Sequence, residues 1–129
     1  MIFVVFNAFG NNFNPVQFVE KFSLEGFSCF EKGEPMSFGD KIHDQSGLAF
    51  SFESSKNFDD AKEMINFFLL KNSEWLLALA EEPVIRSFNI GVTVGGESFS
   101  PCLDFEFNFI ELFCKFKLEM NISCYPVND

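Results

Sequence analysis

Residues 96–116, GESFSPCLDFEFNFIELFCKF, place four carboxylates among closely spaced phenylalanines. The four are Glu97, Asp104, Glu106 and Glu111. Paired carboxylates can act as general acid and base, bind a metal ion, or attract a basic partner. They also form the ordinary polar side of an amphipathic helix. No catalytic or metal-binding motif surrounds them, so the sequence favours either attraction of a basic partner or the polar side of a helix.

The spacing in this stretch predicts a helix that begins after Asp104 as its N-cap. The residues that would share its apolar face are Phe105, Phe109, Leu112, Phe113 and Phe116. Glu111 and Lys115 are four residues apart, in the order that gives a weak favourable surface pair. Solvation and helix electrostatics therefore explain the carboxylates of this stretch without any catalytic chemistry.

His43 is the only histidine, and Asp40 and Asp44 lie close to it in the sequence. A histidine beside a carboxylate can orient a nucleophile or bind a metal. A metal needs about four ligands, however, and catalysis needs a nucleophile with supporting donors. Cys29 could supply a nucleophile, but its apolar neighbours would raise its pKa and lower its reactivity. We therefore predict an exposed loop histidine, with no catalytic residue, metal ligand or cofactor.

Four cysteines lie far apart in the chain: Cys29, Cys102, Cys114 and Cys124. They lack the short paired spacings of a zinc site and are too few for a disulfide scaffold, so we predict small buried thiols in a reducing compartment. The start, MIFVVFNAFGNN, has no basic segment or cleavage motif, and no run reaches about 18 apolar residues. These features predict a soluble, cytoplasmic protein.

The chain has 19 acidic and 9 basic residues, a formal net charge of −10 and a pI near 4.4. Such a charge repels phosphate backbones and anionic lipid, which argues against direct nucleic-acid or membrane binding. A basic protein partner would be attracted. The alternative is that the charge only keeps a chain with 21 phenylalanines soluble.

Acidic residues are densest between residues 74 and 111, where Arg86 is the only base. If the fold gathers these carboxylates at one end, they would speed encounter with a basic partner. The residues predicted to bind this partner are Glu81, Glu82, Glu97, Asp104, Glu106 and Glu111.

Hydrophobic periodicity and capping residues predict the element order β α β β α β α β. The predicted strands cover residues 2–9, 24–31, 48–54, 84–96 and 118–125. The predicted helices begin after Asn14, Asn57 and Asp104, and the second continues as, or is followed by, a helical segment over residues 74–82. Residues 32–47 are the longest predicted loop.

This order predicts an α+β fold with a mainly antiparallel sheet and helices on one face. A ferredoxin-like βαββαβ core with an added C-terminal helix and strand is the most economical arrangement. At 129 residues, the chain is long enough to bury one core, so we predict a single domain over residues 1–129.

Several segments resemble a bacterial family catalogued as domain of unknown function 4279. They are GNNFNPVQFVEKF after the first strand, EKGEP, LAFSFES, and the ending FSPCLDFEFNFIELFCKFKLEMNISCY. The chain differs where the family often has a tryptophan, here Leu48 or Ala49. The resemblance covers nearly the whole chain and implies a place among bacterial toxin-immunity and defence proteins, with no catalytic residues to transfer.

The acidic charge, the lack of a catalytic motif and the resemblance favour one hypothesis. The protein would be a non-catalytic immunity or inhibitor protein that binds a basic bacterial toxin, such as a nuclease, through an acidic surface. The alternatives are a phage- or plasmid-encoded nucleic-acid mimic that inhibits a host nuclease, a small enzyme that uses His43, and a scaffold or ligand-binding module.

Overall fold

The structure is a computed structural model that describes residues 1–36, 39–95 and 102–127. Five strands and four helices lie within these ranges, which confirms the α+β class. In chain order they are β1 (Ile2–Gly10), α1 (Pro15–Phe22), β2 (Ser28–Phe30), β3 (Ser46–Ser51), α2 (Phe58–Lys71), α3 (Ser73–Leu79), β4 (Ile85–Val94), α4 (Phe107–Lys115) and β5 (Glu119–Pro126).

The strands form one open sheet in the order β2-β3-β1-β4-β5. β1 is antiparallel to β3 and to β4, and β2 is antiparallel to β3. β5 is parallel to β4, because α4 carries the chain back to the start of β4 before β5 begins. The prediction of a mainly antiparallel sheet is therefore confirmed.

Alternation along β1 separates the two faces of the sheet. Its buried residues are Ile2, Val4, Phe6 and Ala8. Phe6 lies between Phe50 on β3 and Phe88 on β4, so these three rings share one face. The ring centroids of Phe68 on α2 and Trp75 on α3 lie 5.6 and 5.9 Å from that of Phe6. The helices thus cover the face that carries Phe6.

The two remaining helices cover the same face. Phe18 on α1 lies 6.3 Å from Trp75, measured between ring centroids, and Phe113 on α4 lies 5.4 Å from Phe88. All these rings belong to one continuous hydrophobic core. The aromatic residues therefore fill a single layer between the sheet and four helices.

Local capping explains where α1 and α2 begin, as predicted. The Asn14 side chain accepts a hydrogen bond from the Gln17 N–H at 3.1 Å, and Pro15 occupies the first helical position. The Asn57 side chain accepts one from the Asp60 N–H at 2.8 Å. α2 ends at Lys71, and the side chain of its C-cap residue, Asn72, accepts a hydrogen bond from the Trp75 indole N–H at 2.9 Å.

Several predicted boundaries are wrong, and β3, for example, covers Ser46–Ser51 and not residues 48–54. β2 is limited to Ser28–Phe30, because Gly26 has a φ of +81° that interrupts extended backbone before it. α4 begins at Phe107, with Glu106 and not Asp104 at the N-cap, and Glu106 makes no side-chain cap bond. The Asp104 carbonyl instead accepts a hydrogen bond from the Lys62 ammonium group at 2.8 Å. This long-range contact holds the segment before α4 in place.

The prediction of buried cysteines is also wrong, since all four are exposed and free. Cys29 and Cys124 lie on the two edge strands β2 and β5, which leave their side chains open to solvent. Cys114 lies on the solvent side of α4, and Cys102 lies in the segment before it. Hydrophobic neighbours in the sequence did not reveal these edge positions.

Helix length bears on membrane insertion. Among the helices of the described residues, none combines the length and apolar character that a membrane span requires.

Candidate partner-binding surface

The sheet has two ends, which the pairing of β1 with β4 defines. Ile2 pairs with Val92 at one end, and Phe9 pairs with Ile85 at the other. Ile2 and Phe9 are seven positions apart in extended chain, which is roughly 24 Å at about 3.4 Å per residue. We call these the Ile2 end and the Phe9 end.

The structure does not bring the predicted acidic residues together. Glu82 lies in a groove with Phe9 and Ile85, beside Glu81, and therefore at the Phe9 end. Asp104 lies in a cleft with Ile2 and Val92, at the Ile2 end, close to Glu106. Glu111 is exposed halfway along α4, between the ends, and Glu97 lies outside the described residues.

Basic groups accompany the acids at the Phe9 end. Glu81 forms an exposed ion pair with Lys117, with 3.7 Å between Oε1 and Nζ. The Arg86 guanidinium donates hydrogen bonds to the carbonyls of Leu79, Glu82 and Val84, at 3.3, 3.1 and 2.9 Å. Arg86 therefore satisfies carbonyls at the C-terminal end of α3, and its partial burial lowers its pKa.

The Ile2 end is organised around Lys62 of α2. Its ammonium nitrogen lies 2.8 and 2.9 Å from the two carboxylate oxygens of Glu106 and 3.5 Å from Oδ1 of Asp59. The Lys62 side chain is 7% exposed, whereas those of Glu106 and Asp59 are 62% and 89% exposed. The cation is therefore buried beneath carboxylates that face solvent.

Each member of this pair shifts the pKa of the other. The hydrogen bond from Lys62 lowers the pKa of Glu106, and the hydrogen bond to Glu106 raises the pKa of Lys62 despite the opposing effect of burial. Both groups are therefore held in their charged forms across the neutral pH range.

Further acids on α2 extend this region. Asp60 and Glu63 lie on the exposed side of the first two turns of α2, next to Asp59. We define the acidic end as Asp59, Asp60, Glu63, Asp104 and Glu106. A cleft of about 460 Å³ adjoins it, and its lining includes Asp59, Asp104 and Lys56.

Sequence reasoning missed Lys62 and did not include Asp59 or Asp60 among the residues predicted to bind a partner. A signal was present, since Lys62 lies in the buried stripe of α2 between Phe58 and Ile65. A lysine is almost never buried without a partner, so this position predicts a carboxylate from another element. The spacing alone could not show that the carboxylate is Glu106.

The candidate catalytic residues do not meet. The His43 ring stacks on Phe30, with centroids 4.4 Å apart, and its backbone N–H donates to the Glu34 carbonyl at 2.8 Å. Cys29 and Phe30 are successive residues of β2, so their side chains point to opposite faces of the sheet. Partial desolvation and nearby Glu31 raise the pKa of the Cys29 thiol, which makes it a poorer nucleophile.

Within residues 1–36, 39–95 and 102–127, no group of three or more His, Cys, Asp or Glu side chains has the geometry to hold a metal ion. At the acidic end, the position between the carboxylates is occupied by the Lys62 ammonium group.

Comparison with protein-family models, with curated proteins and with solved structures gives no match for this chain. The resemblance to domain of unknown function 4279 therefore stays a prediction.

Proposed function

We propose that this protein is a non-catalytic immunity or inhibitor protein that binds a basic protein, such as a toxin nuclease, through the acidic end. The observation that supports it is the position of Lys62, which lies buried beneath Asp59, Asp104 and Glu106. A partner that approaches this end meets five carboxylates and one exposed lysine, Lys56, because the Lys62 ammonium group lies below the surface.

The Lys62 contacts also support a defined binding geometry. One ammonium group binds both Glu106 and the Asp104 carbonyl, so it joins the first turns of α2 to the segment before α4. Carboxylates held in this way lose little freedom when a cationic side chain binds them. The neighbouring cleft could receive such a side chain, and the overall charge of −10 would speed encounter.

The finer fold description and the compartment belong to the same proposal. The chain order from β1 to β4, with neighbouring strands antiparallel in the order β2-β3-β1-β4, supports a ferredoxin-like core to which α4 and β5 are added. The four exposed free thiols support a reducing, cytoplasmic compartment.

The test compares two variants that remove the same number of charges. The acidic-end variant carries Asp60→Asn, Glu63→Gln and Asp104→Asn, which leaves the pairs of Lys62 with Asp59 and Glu106 intact. The control variant carries Glu74→Gln, Glu81→Gln and Glu82→Gln on α3 and after it. Each tagged protein is used for affinity capture from a lysate of its native cells, at low and high salt, followed by mass spectrometry.

We expect one dominant basic protein with the wild type and the control variant, with much less retained by the acidic-end variant or at high salt. Equal capture by both variants would contradict a role for the acidic end. A retained nuclease that double-stranded DNA displaces would favour a nucleic-acid mimic. A dominant neutral or acidic protein, captured equally at both salt concentrations, would contradict the proposal.

A further inference from the structure

The face of the sheet opposite the helices is formed by the odd-numbered residues of β1, β3, β4 and β5, which pair with one another across the strands. We call this surface the open face. The helices of the described residues all pack on the other side, against Phe6 and its neighbours. Phe3 and Tyr125, both on the open face, are 46% and 54% exposed.

The open face is almost without charge. Its charged groups are Glu119, on edge strand β5, and the Met1 ammonium group, which donates to the Thr93 hydroxyl at 2.7 Å. Charged residues make up 22% of the chain, so this surface is depleted in them. The interior of protein interfaces has the same composition, with aromatic residues enriched and charged residues depleted.

Aromatic rings lie over glycines on this face. A Cβ atom on Gly91 would lie 3.0 Å from the Tyr125 ring, so that ring rests on the β4 backbone next to Phe3. At the other end, a Cβ on Gly47 would meet the Phe30 ring. Each glycine therefore allows a ring to lie close to the sheet.

Polar side chains occupy the middle of the open face. The Ser87 hydroxyl donates to Asn7 Oδ1 at 2.7 Å, and Asn121 Nδ2 donates to Asn89 Oδ1 at 3.1 Å. Ser87 is buried, whereas Asn89 and Asn121 are exposed, and amides both donate and accept hydrogen bonds, so a surface that carries them can bind an identical surface. A twofold contact requires this property, because the same patch faces itself.

We propose that the open face binds the open face of a second copy of this chain, which gives a twofold dimer of packed sheets. Charge supports a second copy as the occupant. Two chains of net charge −10 repel each other, and this neutral surface lets them approach with the fewest like charges in contact.

The size of the surface also suits a dimer. Four strands at about 4.8 Å spacing and about eight residues at about 3.4 Å give an outline of roughly 520 Å². Side-chain relief adds to this area. A standard interface buries about 800 Å² on each partner and a specific one at least about 1,000 Å² in total, so two open faces reach that lower bound. Packed sheets would lie about 10 Å apart.

The position of Asn89 gives a sharp test. It pairs with Val5 of central strand β1, is exposed, and lies near the middle of the open face. In a twofold contact it would lie close to its own copy, so Asn89→Glu and Asn89→Lys should each weaken the dimer by at least about tenfold through like-charge repulsion. An equimolar mixture of the two variants should restore dimers, because opposite charges would then face each other.

Sedimentation velocity of wild type, both variants and their mixture, from about 5 to 200 µM, measures this association. Phe67→Glu is the matched control, since Phe67 is 68% exposed on α2, on the helix side. We expect dimers from the wild type, the control and the mixture, and monomers from each Asn89 variant alone. Thermal melting checks that every variant folds; Ser123→Glu and Ser123→Lys repeat the test on β5 if an Asn89 variant melts early.

Three results would overturn the proposal. The wild type could remain monomeric at 200 µM, which is the result expected if the open face binds a different protein. Both Asn89 variants could dimerise like the wild type, which would locate the interface elsewhere. The mixture could remain monomeric while both variants fold, which would show that Asn89 does not lie near its own copy.

Discussion

The two faces of the sheet differ in residue size and in uncharged polar residues but not in charge, since Arg86 is the one charged strand residue on the covered face and Glu119 the one on the open face. On the covered face, Phe6 and Phe88 are fully buried with ring centroids 5.2 Å apart, and helices supply further rings. On the open face, Phe3 is half exposed and its neighbour across β4 is Gly91. β1 is apolar on both faces except at Asn7, so β4 distinguishes them more, because its odd-numbered residues include Ser87, Asn89 and Thr93.

The large aromatic residues and the acidic residues of this chain therefore lie in different parts of the molecule. Large rings fill the layer between sheet and helices, and the carboxylates of the acidic end lie on and next to the helices. The open face has neither a dense aromatic layer nor a strong charge. A basic partner at the acidic end and a second copy at the open face would therefore not compete for the same residues.

The largest expected effect comes from truncating a ring on the covered face. Phe88→Ala should lower the free energy of unfolding by about 3–5 kcal/mol, since Phe88 is fully buried and contacts the rings of Phe6 and Phe113. Phe3→Ala on the open face should cost only about 1 kcal/mol. Urea unfolding at low protein concentration measures both, and equal losses would contradict the assignment of the two faces.

The next largest effect is a difference in stability between alanine substitutions at the two glycines of the open face. Gly47→Ala should destabilise by about 1–3 kcal/mol, because its Cβ would lie 2.5 Å from the Ala8 carbonyl oxygen as well as against Phe30. Gly91→Ala meets only the Tyr125 ring at an edge strand, which can move, so its effect should stay below about 1 kcal/mol. Chemical denaturation checks the difference, and a larger loss for Gly91→Ala would show that the Tyr125 ring is rigidly held.

A smaller, pH-dependent effect is expected at the acidic end. Glu106→Gln should lower the Tm by a few degrees at pH 7, because it leaves Lys62 without its main carboxylate. The pKa of Glu106 is lowered in the folded protein, so its contribution is present above the ordinary value of 4.5 and is lost as the pH falls through the folded value. The Tm difference from wild type should therefore shrink below pH 4.5.

The matched control for this experiment is Glu111→Gln, an exposed residue of α4. Its Tm should equal that of the wild type at every pH between 3 and 8. A Glu106→Gln difference that stays constant down to pH 3 would show that the pair with Lys62 is not its cause.

Local signals predicted much of the fold. Asn14 and Asn57 cap their helices through bonds to residues three positions later, so a short stretch of sequence contains the whole interaction. The start of α4 was mispredicted because the contact that holds it, from Lys62 to Asp104, spans 42 residues. The exposed positions of Cys29 and Cys124 depend on strand order, which periodicity does not contain.

The same reasoning explains what the sequence missed at the site. Residues 74–111 are acidic as a segment, but β4 carries the chain from the Phe9 end to the Ile2 end within that segment. Glu81 and Glu82 are thereby separated from Asp104 and Glu106, and Asp59 replaces them as the neighbour of Glu106 around Lys62. The charge density of a segment predicts a charged surface only when no strand within the segment carries the chain to the other end of the sheet.

The most direct test of a functional acidic end is the association rate constant of the captured basic partner, measured by stopped flow at several salt concentrations. Neutralising Asp60, Glu63 and Asp104 should lower that rate by about tenfold at low salt and flatten its dependence on salt. Neutralising Glu74, Glu81 and Glu82, which removes the same charge, should lower it far less. Equal losses from the two variants would mean that net charge alone acts, and would contradict binding at the acidic end.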